Sequence, residues 1–285
     1  MIGKRKNHRL KARQGRDARL ALAAAFRLTA ALALPCASAQ AAESYATDWA
    51  KAAKSQARLV AGGARLAGLE IALAPGASAI TYWRDPGEAG LPPTFDFSAS
   101  ENVASVEPVF PAPKRIREAD GVEAFGYDHE VVFPLRVEPR DPSQPARLAL
   151  EADYAVCEKV CLPAKARLRL TLPAGPSPFA GLIERALAAA PQAVAVKDFG
   201  ALEPDGADGW RFCAAEAAGL PHDLFVEPPP GWWISVAAGP GEAGRDCFTL
   251  TLRETPKDAA FPVALRLTLT GGERPVETTV EARLP

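Results

Sequence analysis

A chain of 285 residues with 33 Lys and Arg against 34 Asp and Glu is nearly neutral as a whole, yet nine of the basic groups and one acid fall before residue 42. Without that segment 24 basic groups face 33 acidic ones, near −9, which excludes a nucleic-acid protein because displacing counterions from phosphate needs a basic footprint. The 27 prolines and 22 glycines are spread along the chain and not gathered in one tract, a pattern that favours an all-β chain of short strands divided by turns.

The N-terminus opens with Lys4, Arg5, Lys6, Arg9, Lys11, Arg13, Arg16 and Arg19 and passes into an apolar run, Leu20 to Leu34, broken by Arg27. Small residues follow, and Ala37-Ser38-Ala39 and Ala39-Gln40-Ala41 each offer an A-x-A-like cleavage site. That order is a secretory signal. The run is too short and interrupted for a membrane span, so residues 1–41 are expected to be removed, leaving an exported chain with no stable membrane span. An uncleaved anchor is the alternative, while lipidation at Cys36 is disfavoured by the preceding Pro35. The remaining 240 or so residues exceed a typical single core, which makes two domains the default.

Beyond the signal, Arg65 to Leu73 alternates, and Pro75-Gly76 marks a turn. The segment Ile80 to Pro93 is dense in Pro and Gly and reads as an ordered loop. Further strand-like runs are Thr94 to Phe97, Val103 to Phe110, Glu130 to Val137, Arg147 to Tyr154 and Arg167 to Leu172, spaced as in a sandwich whose strands bury one face each. Pro178 to Ala190 is an Ala-rich helix between proline clusters, read as a linker. Strands resume at Trp210 to Ala214, Leu224 to Val226, Trp232 to Val236 and Cys247 to Arg253, and a hairpin pairs Ala264 to Thr270 with Val276 to Ala282. The expected organisation is a signal peptide (1–41), one β-sandwich (42–176) and a second small sandwich (177–285).

Cys36 leaves with the signal, so four of the five cysteines remain: Cys157, Cys161, Cys213 and Cys247. An even number in an oxidising compartment points to disulfides. Of the three possible pairings, the domain reading favours Cys157 with Cys161 and Cys213 with Cys247. The second bridge would close a long loop and contribute about 3 to 4 kcal/mol in the chain-entropy picture, so it is read as a structural disulfide. Residues four apart in an extended strand lie about 13 Å apart, whereas a disulfide needs Cα atoms within roughly 7 Å. The chain must therefore turn between Val156 and Pro163. So short a ring gains little stability, and a weakly stabilising bridge suits exchange with a thiolate partner. Glu158 and Lys159 pull the thiolate pKa in opposite directions. Spacing alone leaves a redox pair, a metal site and a structural bridge all open.

Taken together, Tyr82-Trp-Arg-Asp-Pro-Gly-Glu-Ala-Gly-Leu-Pro-Pro93, Ser100-Glu-Asn-Val103, Phe110-Pro-Ala-Pro113, Gly126-Tyr127, Val132-Phe-Pro-Leu135 and Tyr154-Ala-Val-Cys-Glu-Lys-Val-Cys-Leu-Pro163 resemble the N-terminal periplasmic domain of DsbD-type thiol:disulfide interchange proteins. The similarity covers roughly Trp49 to Leu172, and within the family it is greatest to the ScsB-like branch associated with copper-stress tolerance. The resemblance implies a periplasmic protein of two immunoglobulin-like sandwiches. It further implies that Cys157 and Cys161 are the catalytic pair, taking electrons from a thioredoxin-like or membrane thiol reductase and passing them to oxidised envelope proteins. Full-length members continue into a polytopic membrane domain and a thioredoxin-like domain. This sequence ends at Pro285 without either, so a donor on another polypeptide is expected. No cofactor and no resident metal are called for.

Two rival functions remain from the residues. Paired thiolates favour Cu(I), although His129 and His222 are the histidines left after the signal and the single Met is the initiator. A non-catalytic binding module could present Tyr82-Trp83 or Trp232-Trp233, but aromatics in a sandwich are more often core. The hydrolase and phosphate-loop signatures G-x-S-x-G, H-E-x-x-H and a Gly-rich loop are missing, and His129 between Asp128 and Glu130 reads as a solvated strand end.

Overall fold

The computed structural model describes residues 44–75, 79–88, 90–117, 121–215 and 221–283; the expected signal peptide, with Cys36, lies outside them. No described helix is long and apolar enough to cross a membrane. The chain is all-β, with two immunoglobulin-like sandwiches in sequence.

The first contains β1 (Ala50–Ala52), β2 (Ser55–Gly63), β3 (Leu66–Leu73), β4 (Ile80–Gly87), β5 (Thr94–Asp96), β6 (Val103–Pro108), β7 (Lys114–Arg117), β8 (Glu123–Tyr127), β9 (Val131–Pro139), β10 (Arg147–Cys157) and β11 (Cys161–Thr171). One sheet runs β1-β2-β3-β9-β6, the other β11-β10-β4-β8-β7 with β5 also on β10. The alternation that makes a sandwich strand is plain in β11, where Ala164, Ala166, Leu168 and Leu170 point inward between Lys165, Arg167 and Arg169. Each such Leu or Val stabilises the core by about 1.5–3 kcal/mol relative to exposure.

After β11 come α1 (Ala180–Ala188), β12 (Gln192–Ala193), α2 (Val196–Phe199), β13 (Gly200–Pro204), β14 (Gly209–Ala214), β15 (Asp223–Glu227), β16 (Trp233–Ala238), β17 (Cys247–Glu254), β18 (Val263–Thr270) and β19 (Val276–Ala282). Their sheets run β12-β19-β18-β15 and β13-β14-β17-β16. A separate core gathers Trp210, Phe212, Leu224, Phe248, Leu250, Leu265 and Leu267, among others. Helix α1 is not a bare linker: its Ile183 is fully buried against Val60 and Val132 of the first sandwich.

The two sandwiches meet through a built seam, and the described residues form one compact unit. Phe225 of β15 sits in the core of the first sandwich, edge-on to Phe125 at 4.9 Å and to Trp83 at 5.8 Å. Around this plug, Arg84 donates to Glu227 at 2.7 and 2.9 Å and to Glu277 at 2.6 Å. Arg115 donates to Asp223 and to the Leu224 carbonyl, with its guanidinium over Phe125 and Phe225.

The segment Ile80 to Pro93, expected as a loop, is corrected in its first half. Ile80, Thr81, Tyr82 and Trp83 form a strand buried on both faces, so no polar alternation marks it, and its ladder with β8 shifts register between Tyr82 and Gly87. Strands β1, β2, β7, β8, β12 and β13 were not expected either. The aromatics Tyr82 and Trp83 are core, whereas Trp233 is 43% exposed.

Candidate functional site

β10 and β11 form a long hairpin whose ladder runs from Arg147 opposite Thr171 to Cys157 opposite Cys161, closed by Glu158, Lys159 and Val160. Sequence spacing demanded a turn here, and the hairpin supplies it at the tip. The two cysteines are bonded to one another, with Cα atoms 4.0 Å apart. Alternation along β10 sends Tyr154 and Val156 into the main core and Ala155 and Cys157 to the outer face. There Cys157 joins a small apolar cluster with Ile80, Tyr82 and Ala124, because β4 pairs with the end of β10, Ile80 opposite Cys157. Cys157 is 3% exposed, while Cys161 and Val160 are open to solvent. One sulfur is thus held in an apolar wall, and its partner faces outward.

Side chains from three other elements reach this tip. The Tyr82 hydroxyl lies 3.5 Å from Cys161 Sγ. Gly90, at φ +103°, lies against the Tyr82 ring, where a Cβ would overlap the ring atoms. From the two-residue turn joining β1 to β2, Lys54 pairs with the Glu158 carboxylate inside the cysteine ring. The next residue, Ser55, hydrogen-bonds the Tyr154 hydroxyl at 3.0 Å, and burial raises the Tyr154 pKa. Thr81 donates to the Ala155 carbonyl at 3.0 Å, tying β4 to β10. The opposing pulls of Glu158 and Lys159 on the thiolates are therefore altered by a third charge, Lys54, that sequence reasoning missed because it is remote in the chain. Tyr82 was legible as an aromatic of the Tyr82-to-Pro93 motif but not as a neighbour of the sulfurs.

Cys213 and Cys247 form the other bridge, between directly opposed residues of β14 and β17, with Cα atoms 4.1 Å apart. Among the described residues, one group of metal-ligand types converges: Cys213, Cys247 and Glu242, with ligand atoms within 4.8 Å of one another. Its two sulfurs are bonded to each other, so as it stands the group offers a single carboxylate. His222 is buried and bonded to Asp246 at 2.9 Å, and His129 is exposed beside Asp128. Neither lies with the Cys157–Cys161 pair.

Fold and site together define an all-β module of two immunoglobulin-like sandwiches that carries a disulfide at an exposed hairpin tip. Residues 48–173 match the family model described as thiol:disulfide interchange protein DsbD, N-terminal, so the family resemblance is shown over the segment that contains Cys157 and Cys161. The chain is also similar to the N-terminal periplasmic domain of ScsB from Proteus mirabilis, at 21% identity and TM-score 0.68, over 85% of this chain and 99% of that one. At that identity the likeness concerns the fold. A marsupial T cell receptor, 12% identical and covering 82% of this chain and 99% of its own, has a TM-score of 0.21 and carries no argument. No curated protein matches the sequence.

Proposed function

We propose that this protein is a periplasmic thiol–disulfide exchange module that relays electrons from a thioredoxin-like or membrane thiol reductase to oxidised envelope proteins through Cys157 and Cys161. The observation that carries the reading is the asymmetry of the bridge at the hairpin tip, with Cys161 open and Cys157 walled in. An incoming thiolate reaches Cys161 Sγ, the bond to Cys157 breaks, and Cys157 leaves as the thiolate. The donor's second thiol then attacks its own sulfur in the mixed disulfide and releases Cys161. In the reverse sense, reduced Cys161 attacks a substrate disulfide and Cys157 resolves the mixed species.

The energetics support reversibility. A ring of so few residues is worth about 2 kcal/mol in the chain-entropy picture, against about 4 for a loop the length of the one closed by Cys213–Cys247. The hairpin's register is also held by the rest of its ladder and by β4 and β5. Opening the bridge therefore leaves the fold in place. The match of residues 48–173 to the DsbD N-terminal model supports the reaction class, and the periplasmic origin of the ScsB domain supports the compartment. In this reading residues 42–176 are the exchange domain and residues 177–285 the sandwich that backs it.

Differential alkylation and mass spectrometry across a graded glutathione buffer test the proposal, on the signal-free protein and its Cys157→Ser and Cys161→Ser variants. The pair is expected to open at a poise well above that of structural bridges, roughly −300 mV, and Cys157→Ser is expected to trap a mixed disulfide on Cys161. A pair that stays closed down to that poise sinks the reading. A Cu(I) competition titration of the reduced protein examines the rival: tight stoichiometric binding that needs both thiols would favour it.

A further inference from the structure

The two bridges share a geometry that their spacings of 4 and 34 residues conceal. Each joins residues directly opposed in an antiparallel ladder. The Cys213–Cys247 bridge also lies on an outer face: Phe212 and Phe248, next to the cysteines, point into the second core, so alternation turns Arg211, Cys213, Cys247 and Thr249 the other way. Moreover, β14 and β17 are the two central strands of their sheet, flanked by β13 and β16. Ladders on both sides hold their register without the bridge.

Among the described residues, Arg211 and Glu242 lie against these sulfurs, Glu242 from the segment Gly239–Asp246, which is largely exposed and contains Gly239, Gly241 and Gly244. The Arg211 guanidinium donates to Cys247 Sγ at 3.4 Å, to the Pro240 carbonyl at 3.2 Å and to Glu242 at 2.6 Å. A disulfide sulfur is a weak acceptor and gains little from a guanidinium. A thiolate gains much more, since a fixed cation lowers the thiol pKa and makes the sulfur a better leaving group. The Glu242 carboxylate, also within 4.8 Å of both sulfurs, pulls the other way, but its own pairing with Arg211 offsets that pull, and the guanidinium contact to Sγ is left to favour the reduced state of Cys247.

We propose that Cys213–Cys247, read from its spacing as a staple, is a second dithiol/disulfide couple, with Cys213 as the attacked sulfur and Arg211 as the positioning residue for the Cys247 thiolate. Its partner class is a dithiol, and for that class alone it rests on the function proposed above. Cys213 is the more accessible of the two, at 7% against 2%. One thiolate of the dithiol attacks Cys213 Sγ, the S–S bond breaks, and Cys247 departs as a thiolate beside Arg211. The second thiolate then attacks the dithiol's own sulfur, closing the reductant's disulfide and releasing Cys213, which takes a proton from solvent. Two electrons pass from the dithiol to the bridge. The stretch Pro240–Arg245 must lift for the first step, breaking the Arg211 bonds to Glu242 and the Pro240 carbonyl, while Asp246 stays tied to His222.

The test uses the signal-free chain carrying Cys157→Ser and Cys161→Ser, so that this bridge reacts alone. Dithiothreitol is added at several concentrations, samples are quenched with iodoacetamide, and the peptides of Cys213 and Cys247 are read by mass spectrometry beside circular dichroism. The expected result is reduction at a rate proportional to dithiothreitol with the β signal retained. Arg211→Met should slow it about three- to tenfold, with part of the rate recovered in Arg211→Lys. In a Cys213→Ser background, alkylation of Cys247 should need higher pH once Arg211 is Met. A rate that saturates at the unfolding rate, loss of the β signal before reduction, or equal rates in all three Arg211 proteins overturns the proposal. The Cys157–Cys161 bridge is measured separately in Cys213→Ser/Cys247→Ser, or peptide by peptide in the unsubstituted chain should that variant fold poorly, so failure of either couple is seen on its own.

Discussion

Replacing Gly90 by Ala should loosen the wall beside the Cys157–Cys161 bridge and speed its reduction. At φ +103° the position suits glycine, and an added Cβ would overlap the Tyr82 ring. Holding Ala in such a conformation costs about 1–3 kcal/mol, and the ring would have to move as well. The alternative is for the chain around Gly90 to lift from Tyr82, which is 1% exposed. An aromatic of this kind buries about 150–250 Å², worth about 4–6 kcal/mol at 25 cal/mol per Å². The loop covers one side of the ring, so lifting it forfeits a fraction of that, comparable to the strain. Either route gives a loss of about 1–3 kcal/mol, or on the order of 2–10 °C in melting temperature for a unit this large. Calorimetry reads that loss, and stopped alkylation in dithiothreitol reads the bridge, which should open faster as the Tyr82 hydroxyl leaves Cys161 Sγ. An Ala variant with unchanged melting temperature and unchanged reduction rate would refute the packing argument.

Phe225→Ala empties the plug between the sandwiches and should cost about 3–5 kcal/mol, as for other fully buried aromatics, measured by guanidinium unfolding; a loss within error would mean that the seam contributes no stability. The Asp128 carboxyl is held at about 2 by its hydrogen bond from Lys114, then by His129. Because that pKa is depressed, its stabilising effect is present above pH ~4, the ordinary Asp range, and is lost as pH falls toward 2. Lys114→Met should return the Asp128 titration toward the ordinary range in an NMR pH series, and an unmoved titration would discard Lys114 as the cause. Lys54→Met removes the cation paired with Glu158, so alkylation of the reduced Cys161 should shift to higher pH, with Glu158→Gln cancelling the shift; because both side chains are partly solvated the change should be small, about twofold in rate at neutral pH.

Strands with one wet face were legible in the sequence. Strand β11 places Lys165, Arg167, Arg169 and Thr171 at every second position, and β18 does the same with Arg266, Thr268 and Thr270; their spacing with the neighbouring runs was enough for the sandwich. Strand β4 was not legible, for a physical reason: with the main core on one face and the small cluster holding Cys157 on the other, it has no polar period to read. Strand β2 was missed because Ala57 and Ala61 do the work of larger inward residues, and Gly62 and Gly63 end it. At the site, cysteine count and spacing picked out Cys157 and Cys161 and required a turn between them. Composition could not say that this turn is a hairpin tip, that Tyr82 stands beside it, or that Lys54 answers Glu158 from 104 residues away. Those contacts depend on strand order, and β10-β4 adjacency follows from no local pattern.

That same strand connects the Cys157–Cys161 tip to the seam. Ile80 and Tyr82 face the cluster around Cys157, while Trp83 packs on Phe225 and Arg84 reaches Glu227 and Glu277. Two residues of extended chain span about 7 Å, so the tyrosine beside Cys161 and the arginine clamped by the second sandwich are almost adjacent along a stiff element. Thr81 fixes the start of this element to β10 through the Ala155 carbonyl, and the two carboxylates fix its middle at Arg84. In the exchange reaction proposed above, a thiolate partner at Cys161 meets a wall whose position is set from both sides. The second sandwich does this without contributing a sulfur to the pair at the tip. Its carboxylates hold Arg84 in the middle of β4, and β4 holds Tyr82 beside the Cys157–Cys161 bridge.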